Sequence, residues 1–365
     1  MALTKVDPTV VDDQIFSRRR LNVNGDMAVN QRGTKTGMQA GYGGPDRIRV
    51  GSSNSLGYFT MSQSSSSPNG FAKSFQLTTT TANASPAADA YLFLQYKFEG
   101  NDLASLKWGT ADAEQLTVSF WVKTNKTGTY NLELYQLDNS SNPNANKQYT
   151  VSSSNTWEKK VVTFPSANNV EIPLDTTNAL NINFWLGAGS NYTSGSASDG
   201  NFHSTNANRA AGNVNIADST DNAFRITGIQ VETGTQATPF EYKTMAEEEE
   251  LCRRYFQHHT FPDSAAVCNG TLWSSTSMYG AYHFYPKMRA EPTTTISAGG
   301  TFDVLAPVGQ TAHSPTDVYA QNHSNQAVEI YLYRAAGLGT QGNGVWVRSD
   351  TYSGETATFT FDAEV

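Results

Sequence analysis

Apolar and polar positions alternate with a period of two along much of the chain, the pattern of half-buried β-strands. In Leu116-Thr-Val-Ser-Phe-Trp-Val-Lys, Leu116, Val118, Phe120 and Val122 share one face. Thr117, Ser119, Trp121 and Lys123 share the other. Asn181-Ile-Asn-Phe-Trp-Leu repeats the arrangement, with Ile182, Phe184 and Leu186 inward and Trp185 outward. Further runs fall at 91–98, 130–137, 157–164 and 224–231, separated by turn-rich stretches such as 138–144 and 187–213. This rhythm over residues 41–243 predicts a β-sandwich of jelly-roll type. Residues 1–40 are read as an extended arm that passes into a first strand at 21–29.

The pattern then changes period. Thr244 precedes Glu247 by three residues, the spacing of a capping box. Glu247 to Glu250 sit at the positive end of the predicted helix, and Arg253 and Arg254 at its negative end. Leu251, Cys252, Tyr255 and Phe256 make a short apolar stripe, so a connecting helix is predicted over 244–259. Beyond it, strand patterns return near 278–284, 293–296, 328–332, 345–347 and 359–361. They predict a second, smaller β-sandwich over 260–365. The expected fold is therefore mostly β: an arm, two jelly-roll-like sandwiches and one short amphipathic helix between them.

Composition narrows the function classes. Charged residues are 16% of the 365, against a usual ~25%. Lys plus Arg is 25 and Asp plus Glu is 33, for a net charge of −8. Such a balance offers no broad basic surface to a phosphate backbone, so nucleic acid is not an expected partner. No stretch reaches the ~18 apolar residues of a membrane span, so no membrane insertion is expected. Eighteen Phe, 17 Tyr and 6 Trp supply ample core and argue against wholesale disorder. The opening Met1-Ala-Leu-Thr-Lys carries no apolar segment of a secretory signal, so synthesis in a cytoplasm is expected. Cys252 and Cys268 have no metal-ligand spacing; free thiols are the default and a disulfide stays open.

No catalytic constellation emerges. Gly337-Leu-Gly-Thr-Gln-Gly fits a dinucleotide fingerprint literally, but it leads into another strand rather than a helix and reads as a glycine-rich hairpin loop. There is no GxSxG or HExxH, and adjacent His258 and His259 would diverge on a helix. Carboxylates are plentiful but unpaired by spacing, so glycan cleavage is the lesser alternative. Glycan binding is better motivated, because sugar C–H faces stack on rings while hydroxyls bond to amides and carboxylates. Trp121, Tyr135 and Trp185 alternate outward, and Asn183 and Glu133 share that sense. They are the candidate glycan platform, weighed against packing beneath the stretch 187–213 or against another subunit.

Several motifs, in order, resemble one family. Leu21-Asn-Val-Asn-Gly-Asp-Met with Gln31-Arg-Gly-Thr resembles the opening of bacteriophage tail-fibre and virion proteins that carry a carbohydrate-binding-like jelly roll. The strand 116–123, the run Ile226-Thr-Gly-Ile-Gln-Val-Glu-Thr-Gly with Ala237-Thr-Pro-Phe-Glu, Leu251-Cys-Arg-Arg-Tyr-Phe, and Tyr285-Pro-Lys-Met-Arg-Ala-Glu-Pro-Thr continue the likeness. It spans residues 21–295, and the initial Met1-Ala-Leu-Thr-Lys-Val resembles the virion-attaching end of tailspikes. The resemblance implies a virion structural component, a homotrimer, held to other tail or capsid proteins by its arm and meeting a host-surface glycan. A capsid or tail decoration protein without a receptor is the near alternative. Arg18, Arg19 and Arg20 are the candidate attachment cluster, and Leu251, Cys252, Tyr255 and Phe256 the candidate assembly stripe. The resemblance supplies no catalytic residue. Its Asn-Gly-Asp opening implies a structural calcium, with Asp26 and Asp221 as candidates against simple turn formation.

Overall fold

A computed structural model describes residues 19–53, 56–141, 143–305, 312–350 and 356–365. The chain divides into two compact units, one running to Glu248 and the second from Glu249 to Glu364. Both are built of antiparallel β-sheets.

The first unit begins with β1 (Lys35–Met38), β2 (Gly41–Tyr42), β3 (Arg49–Ser52), β4 (Tyr58–Ser64), β5 (Ser74–Thr81) and β6 (Tyr91–Glu99). It continues with β7 (Leu116–Thr124), β8 (Gly128–Gln136), β9 (Asn144–Val151), β10 (Glu158–Phe164), β11 (Asn178–Ala188) and β12 (Ala223–Thr233). One sheet has the order β1-β4-β5-β12-β7-β10 and the other β2-β3-β6-β11-β8-β9. The alternation read from sequence decides what lies between them. Leu116, Val118, Phe120 and Val122 of β7 meet Ile182, Phe184 and Leu186 of β11 in one core, all fully buried. Phe120 bridges the sheets edge-on, 5.0 Å from Phe184 and 5.1 Å from Tyr149. This is the jelly-roll-like sandwich that the pattern implied.

Residues 21–29 do not form the expected strand. Asn24 and Met27 adopt positive φ, and side chains take up the backbone groups instead. Asn22 donates to Ile229 O at 2.8 Å and accepts from Val231 N at 2.9 Å, clamping the segment to β12. Asn24 Nδ2 donates to Val29 O and Asp46 O, both at 2.9 Å. Gly25 sits so close to β12 that a Cβ there would lie 2.1 Å from Ile229 O. The Asn-Gly-Asp motif is thus a closure of the sandwich by hydrogen bonding.

The arginine cluster also differs from expectation. Arg18, like the rest of residues 1–18, lies outside the described residues. Arg20 is fully buried and ion-paired to buried Glu248, with its guanidinium 5.0 Å from the Phe240 ring. The Arg19 and Arg20 backbone amides donate to Glu241 at 2.6 and 2.9 Å. A buried, paired arginine belongs to the interior of the fold and is not an exposed surface for attachment to a partner. Asp26 and Asp221 lie beside different stretches of β12. Asp26 accepts weakly from Ala28 N and its carbonyl lies beside Thr227, whereas Asp221 precedes the start of β12 at Ala223. Among the described residues no group of three or more His, Cys, Asp or Glu could hold a metal.

The helix, α2 (Met245–Arg253), follows a single four-residue turn, α1 (Ser190–Thr193), and is shorter than predicted. Its start is the expected capping box: Thr244 N donates to Glu247 at 2.8 Å and Thr244 Oγ1 accepts from Glu247 N at 3.3 Å. Its end comes early because 256–261 pairs as β13 (Phe256–Phe261). The remaining strands are β14 (Ala266–Leu272), β15 (Ser277–His283), β16 (Thr293–Ile296), β17 (Phe302–Leu305), β18 (Ala312–His313), β19 (Asp317–Gln321), β20 (Ala327–Tyr333), β21 (Gly344–Ser349) and β22 (Ala357–Asp362). Cross-strand bonding of β13 to β22 outweighs the helical spacing of Tyr255 and Phe256. Cys252, Tyr255 and Phe256 are buried in the chain itself, and only Leu251 is half-buried, so the stripe is not an open face for threefold assembly. In β13, His258 and His259 alternate in side-chain direction and do not share an ion.

The second unit packs a three-stranded sheet, β13-β22-β16, with a seven-stranded one, β18-β17-β21-β14-β15-β20-β19. Met278, Phe302, Ile330, Leu332, Val347, Phe359 and Phe361 fill its core. The glycine-rich stretch at 337–342 is not a hairpin, since β20 and β21 are not neighbours. It crosses the tip of the β14–β15 hairpin, where Leu338 N donates to Ser275 O at 2.7 Å and Gly342 N to Leu272 O at 2.8 Å. Cys252 and Cys268 are free thiols, and burial pushes the Cys268 thiol up to about 12.

Candidate functional site

Alternation assigns a side chain to a face of its strand but not to a sheet, and this separates the five candidate platform residues. Trp121 lies on β7, with Thr227 of β12 and Lys159 of β10 beside it, and its ring abuts Gly228. Tyr135 and Glu133 on β8 and Asn183 and Trp185 on β11 belong to the opposite sheet. A single platform of three rings therefore does not form.

The outer face of the second sheet is instead roofed by residues 189–215. Amides on β8 and β9 hold this segment: Asn131 Nδ2 donates to Ala211 O at 3.0 Å, and Gln148 Nε2 donates to the same oxygen at 2.8 Å. Asn146 N donates to Ser198 Oγ at 2.9 Å, and Asn144 bridges to His203. The roof buries Trp185 to 1% and Glu133 to 0% exposure.

Beneath it, Glu133 accepts four hydrogen bonds. Asn183 Nδ2 and Trp185 Nε1 each donate to Oε2 at 2.9 Å. Arg209 Nε donates to Oε1 at 2.5 Å and Nη2 to Oε2 at 3.2 Å, a side-on bidentate pair. Gln95 Nε2 fixes the Asn183 amide at 3.0 Å. Burial alone would lower the Arg209 pKa, but the charge and hydrogen bonds of Glu133 keep it raised. A carboxylate so saturated and enclosed is not available to a substrate as nucleophile or base.

Arg209 meets the surface among rings. Its guanidinium lies 5.1 Å from Tyr135, 5.4 Å from Trp185 and 5.7 Å from Tyr192. Tyr91 and Phe93 extend the cluster, stacked at 5.4 Å, with Phe93 5.3 Å edge-on to Trp185. Tyr91, Phe93, Tyr135, Tyr192 and Arg209 are all part-exposed, so they form a rim over the buried pair. The Nε and Nη2 groups of Arg209 are committed to Glu133, which turns Nη1 away from it. The planar group is thereby held as a donor between rings. Sequence reading missed Arg209 and Tyr192, which sit in a segment without periodicity.

His203, at the edge of this roof, has its pKa lowered first by burial, against the raising charge of Glu133. His259 in the second unit is likewise lowered by burial, then by Arg253 and His258. In each case the unfolded state binds the proton more readily than the folded state does. Stability contributed by the neutral imidazoles is thus present above the ordinary histidine pKa of about 6.5 and is lost as pH falls through the lower folded values. Thermal melts between pH 7.5 and 5 should show decreasing midpoints on acidification, and His203→Gln should flatten the decrease for the first unit.

No family model matches the chain, and no curated relative matches it. Solved structures with similar strand arrangement include a family 11 carbohydrate-binding module of the cellulosomal cellulase Lic26A-Cel5E of Clostridium thermocellum. It is 11% identical, spans 56% of this chain and 98% of that one, and has a TM-score of 0.28. The CBM22-1 xylan-binding domain from Paenibacillus barcinonensis Xyn10C is 10% identical, spans 60% of this chain and 96% of that one, with a TM-score of 0.25. At such low scores these likenesses carry nothing over to the ligand of this chain.

Proposed function

We propose that the chain is a non-catalytic glycan-binding protein whose first unit takes an oligosaccharide on the rim around Arg209. The observation that carries this reading is a guanidinium fixed by buried Glu133 amid Tyr135, Trp185 and Tyr192, with one nitrogen pointing away from the carboxylate. Rings offer stacking surface to sugar C–H faces, and a fixed planar donor suits a hydroxyl acceptor. The pairing of Arg209 with Glu133 cancels the local charge, which favours a neutral sugar over a phosphate.

The finer reading is a phage virion appendage of the tail-fibre kind, homotrimeric and attached through its N-terminal arm, with the glycan on the host surface. It is supported by the ordered sequence motifs between residues 21 and 295. Two of those motifs are neighbours in the first unit: Asn22, beside the Asn-Gly-Asp turn, is clamped to β12, and Gln230, Glu232, Thr238 and Glu241 bond one another along the 226–241 motif. Antibody labelling of purified particles tests this part, since a chain absent from every particle would remove it.

Binding is tested with the full chain on a glycan array. Tyr135→Ala and Tyr192→Ala are each expected to weaken binding about three- to tenfold, the share of one stacked ring. Unchanged binding in both variants would remove the rim as the site.

A further inference from the structure

The second unit carries a separate aromatic surface on the outer face of its seven-stranded sheet. On β20, Val328, Ile330 and Leu332 are buried while Glu329, Tyr331 and Tyr333 face out. Cross-strand register aligns Tyr331 with Tyr279 of β15 and with Tyr319 of β19. The three rings form a row, with centroids 5.0 Å apart for Tyr279–Tyr331 and 5.9 Å for Tyr319–Tyr331. Trp273 continues it, 6.2 Å from Tyr279. Trp273 is 71% exposed and Tyr319 54%, a large apolar area to leave in water without a ligand.

The row is not a bare apolar patch. Tyr279 stands between two hollows. One, of about 480 Å³, is lined among others by Asn269, Asn322, Ser324 and Glu329. The other, of about 250 Å³, is lined by Thr271, Trp273 and Gln341 with Tyr279. Glu329 is oriented by Gln321 Nε2 at 2.6 Å and Asn322 Nδ2 at 3.0 Å. The linings hold amides, hydroxyls and one carboxylate, with no lysine, arginine or histidine.

We infer that this face is a second glycan site, for a neutral oligosaccharide that crosses Tyr279 and places a sugar in each hollow. The rings supply the stacking faces, and the flanking amides and carboxylate supply hydroxyl partners in both donor and acceptor roles. The absence of lysine, arginine and histidine from both linings disfavours an acidic glycan or a nucleic acid there. A second copy of the chain is the less suitable occupant, because self-association cores exclude charged groups and Glu329 lies within the hollow. Beside the first-unit rim, on whose reading it does not depend, the chain would then carry a glycan site in each unit.

The test is native electrophoresis of the full chain through gels containing hydroxyethyl cellulose, arabinoxylan or galactomannan, with heparin as the acidic comparison. Variants carry Tyr279→Ala with Tyr331→Ala, or the highly exposed Trp273→Ala, which does not touch the core. Each is made in the wild-type chain and in the Tyr135→Ala/Tyr192→Ala chain. The expected result is retardation by a neutral polysaccharide that survives the first-unit changes. It should weaken about tenfold with the tyrosine pair and less with Trp273→Ala. This outcome supports the second site whether or not the first-unit changes have any effect of their own. Equal retardation with and without the second-unit substitutions overturns it, as does retardation by heparin alone or by none of the gels. Sedimentation that shows self-association abolished by the same substitutions, without retardation, assigns the face to a second copy and also overturns it.

Discussion

Replacing Glu133 with alanine is expected to destabilise the first unit by roughly 3–5 kcal/mol, the cost of breaking a buried ion pair from one side. The charge of Arg209 would lose its partner, and the Trp185 and Asn183 donors would lose their acceptor beneath the roof. Each unsatisfied buried donor adds about 1–3 kcal/mol in isolation. Arg209 keeps some contact with water, which lets it rehydrate and moves the total toward the lower end. Urea unfolding of the full chain followed by tryptophan fluorescence measures it. Glu133→Gln, which retains an acceptor but not the charge, should cost about half as much. The double variant with Arg209→Ala should be less destabilised than the sum of the two singles, because it leaves no orphaned charge. A cost below about 1 kcal/mol for Glu133→Ala would mean that the carboxylate is not the buried anchor of the roof.

The second large effect concerns Arg20. Its side chain and that of Glu248 are both out of contact with water, and Glu248 also accepts from Asn24 N at 2.8 Å. Arg20→Ala removes the cation and strands the carboxylate, and roughly 3–5 kcal/mol of first-unit stability should disappear. Arg20→Met, which keeps the aliphatic bulk against Phe240, should recover little of this, since the charge on Glu248 remains alone. Adding Glu248→Leu to Arg20→Met should recover much of it, as uncharged replacements for buried pairs often do. These results separate a structural arginine from an attachment residue, whose loss would leave the melting temperature unchanged.

Most of the architecture was legible because alternation is a direct consequence of a strand lying between core and surface. Leu116 to Val122 and Ile182 to Leu186 point inward as read, and the Thr244–Glu247 capping box stands where its spacing placed it. What failed did so for identifiable reasons. Residues 21–29 have an apolar rhythm, yet Asn22 and Asn24 bond locally and across to β12, and this side-chain bonding displaces a ladder. Tyr255 and Phe256 continue a helical stripe, but the pairing of β13 with β22 prevails because it satisfies a whole row of backbone groups.

The site was half legible. Tyr135, Asn183, Glu133 and Trp185 do share a face, since period two is enough to orient them. Trp121 shares only their phase, because assignment to a sheet depends on long-range pairing that no local pattern encodes. The burial of Trp185 depends on the roof, whose anchors are single amides at irregular spacing. The tyrosine row of the second unit was within reach: Tyr331 alternates with Ile330 and Leu332, as Trp346 does with Val345 and Val347.

A glycan seated on the proposed rim over the Glu133–Arg209 pair would cover the roof segment that carries Tyr192 and Arg209. Amide hydrogen exchange of the full chain, with and without a neutral oligosaccharide that binds it, addresses this directly. Added protection within residues 189–215 and around Tyr135 is the predicted result. Protection elsewhere in the first unit, with the roof unchanged, would contradict it.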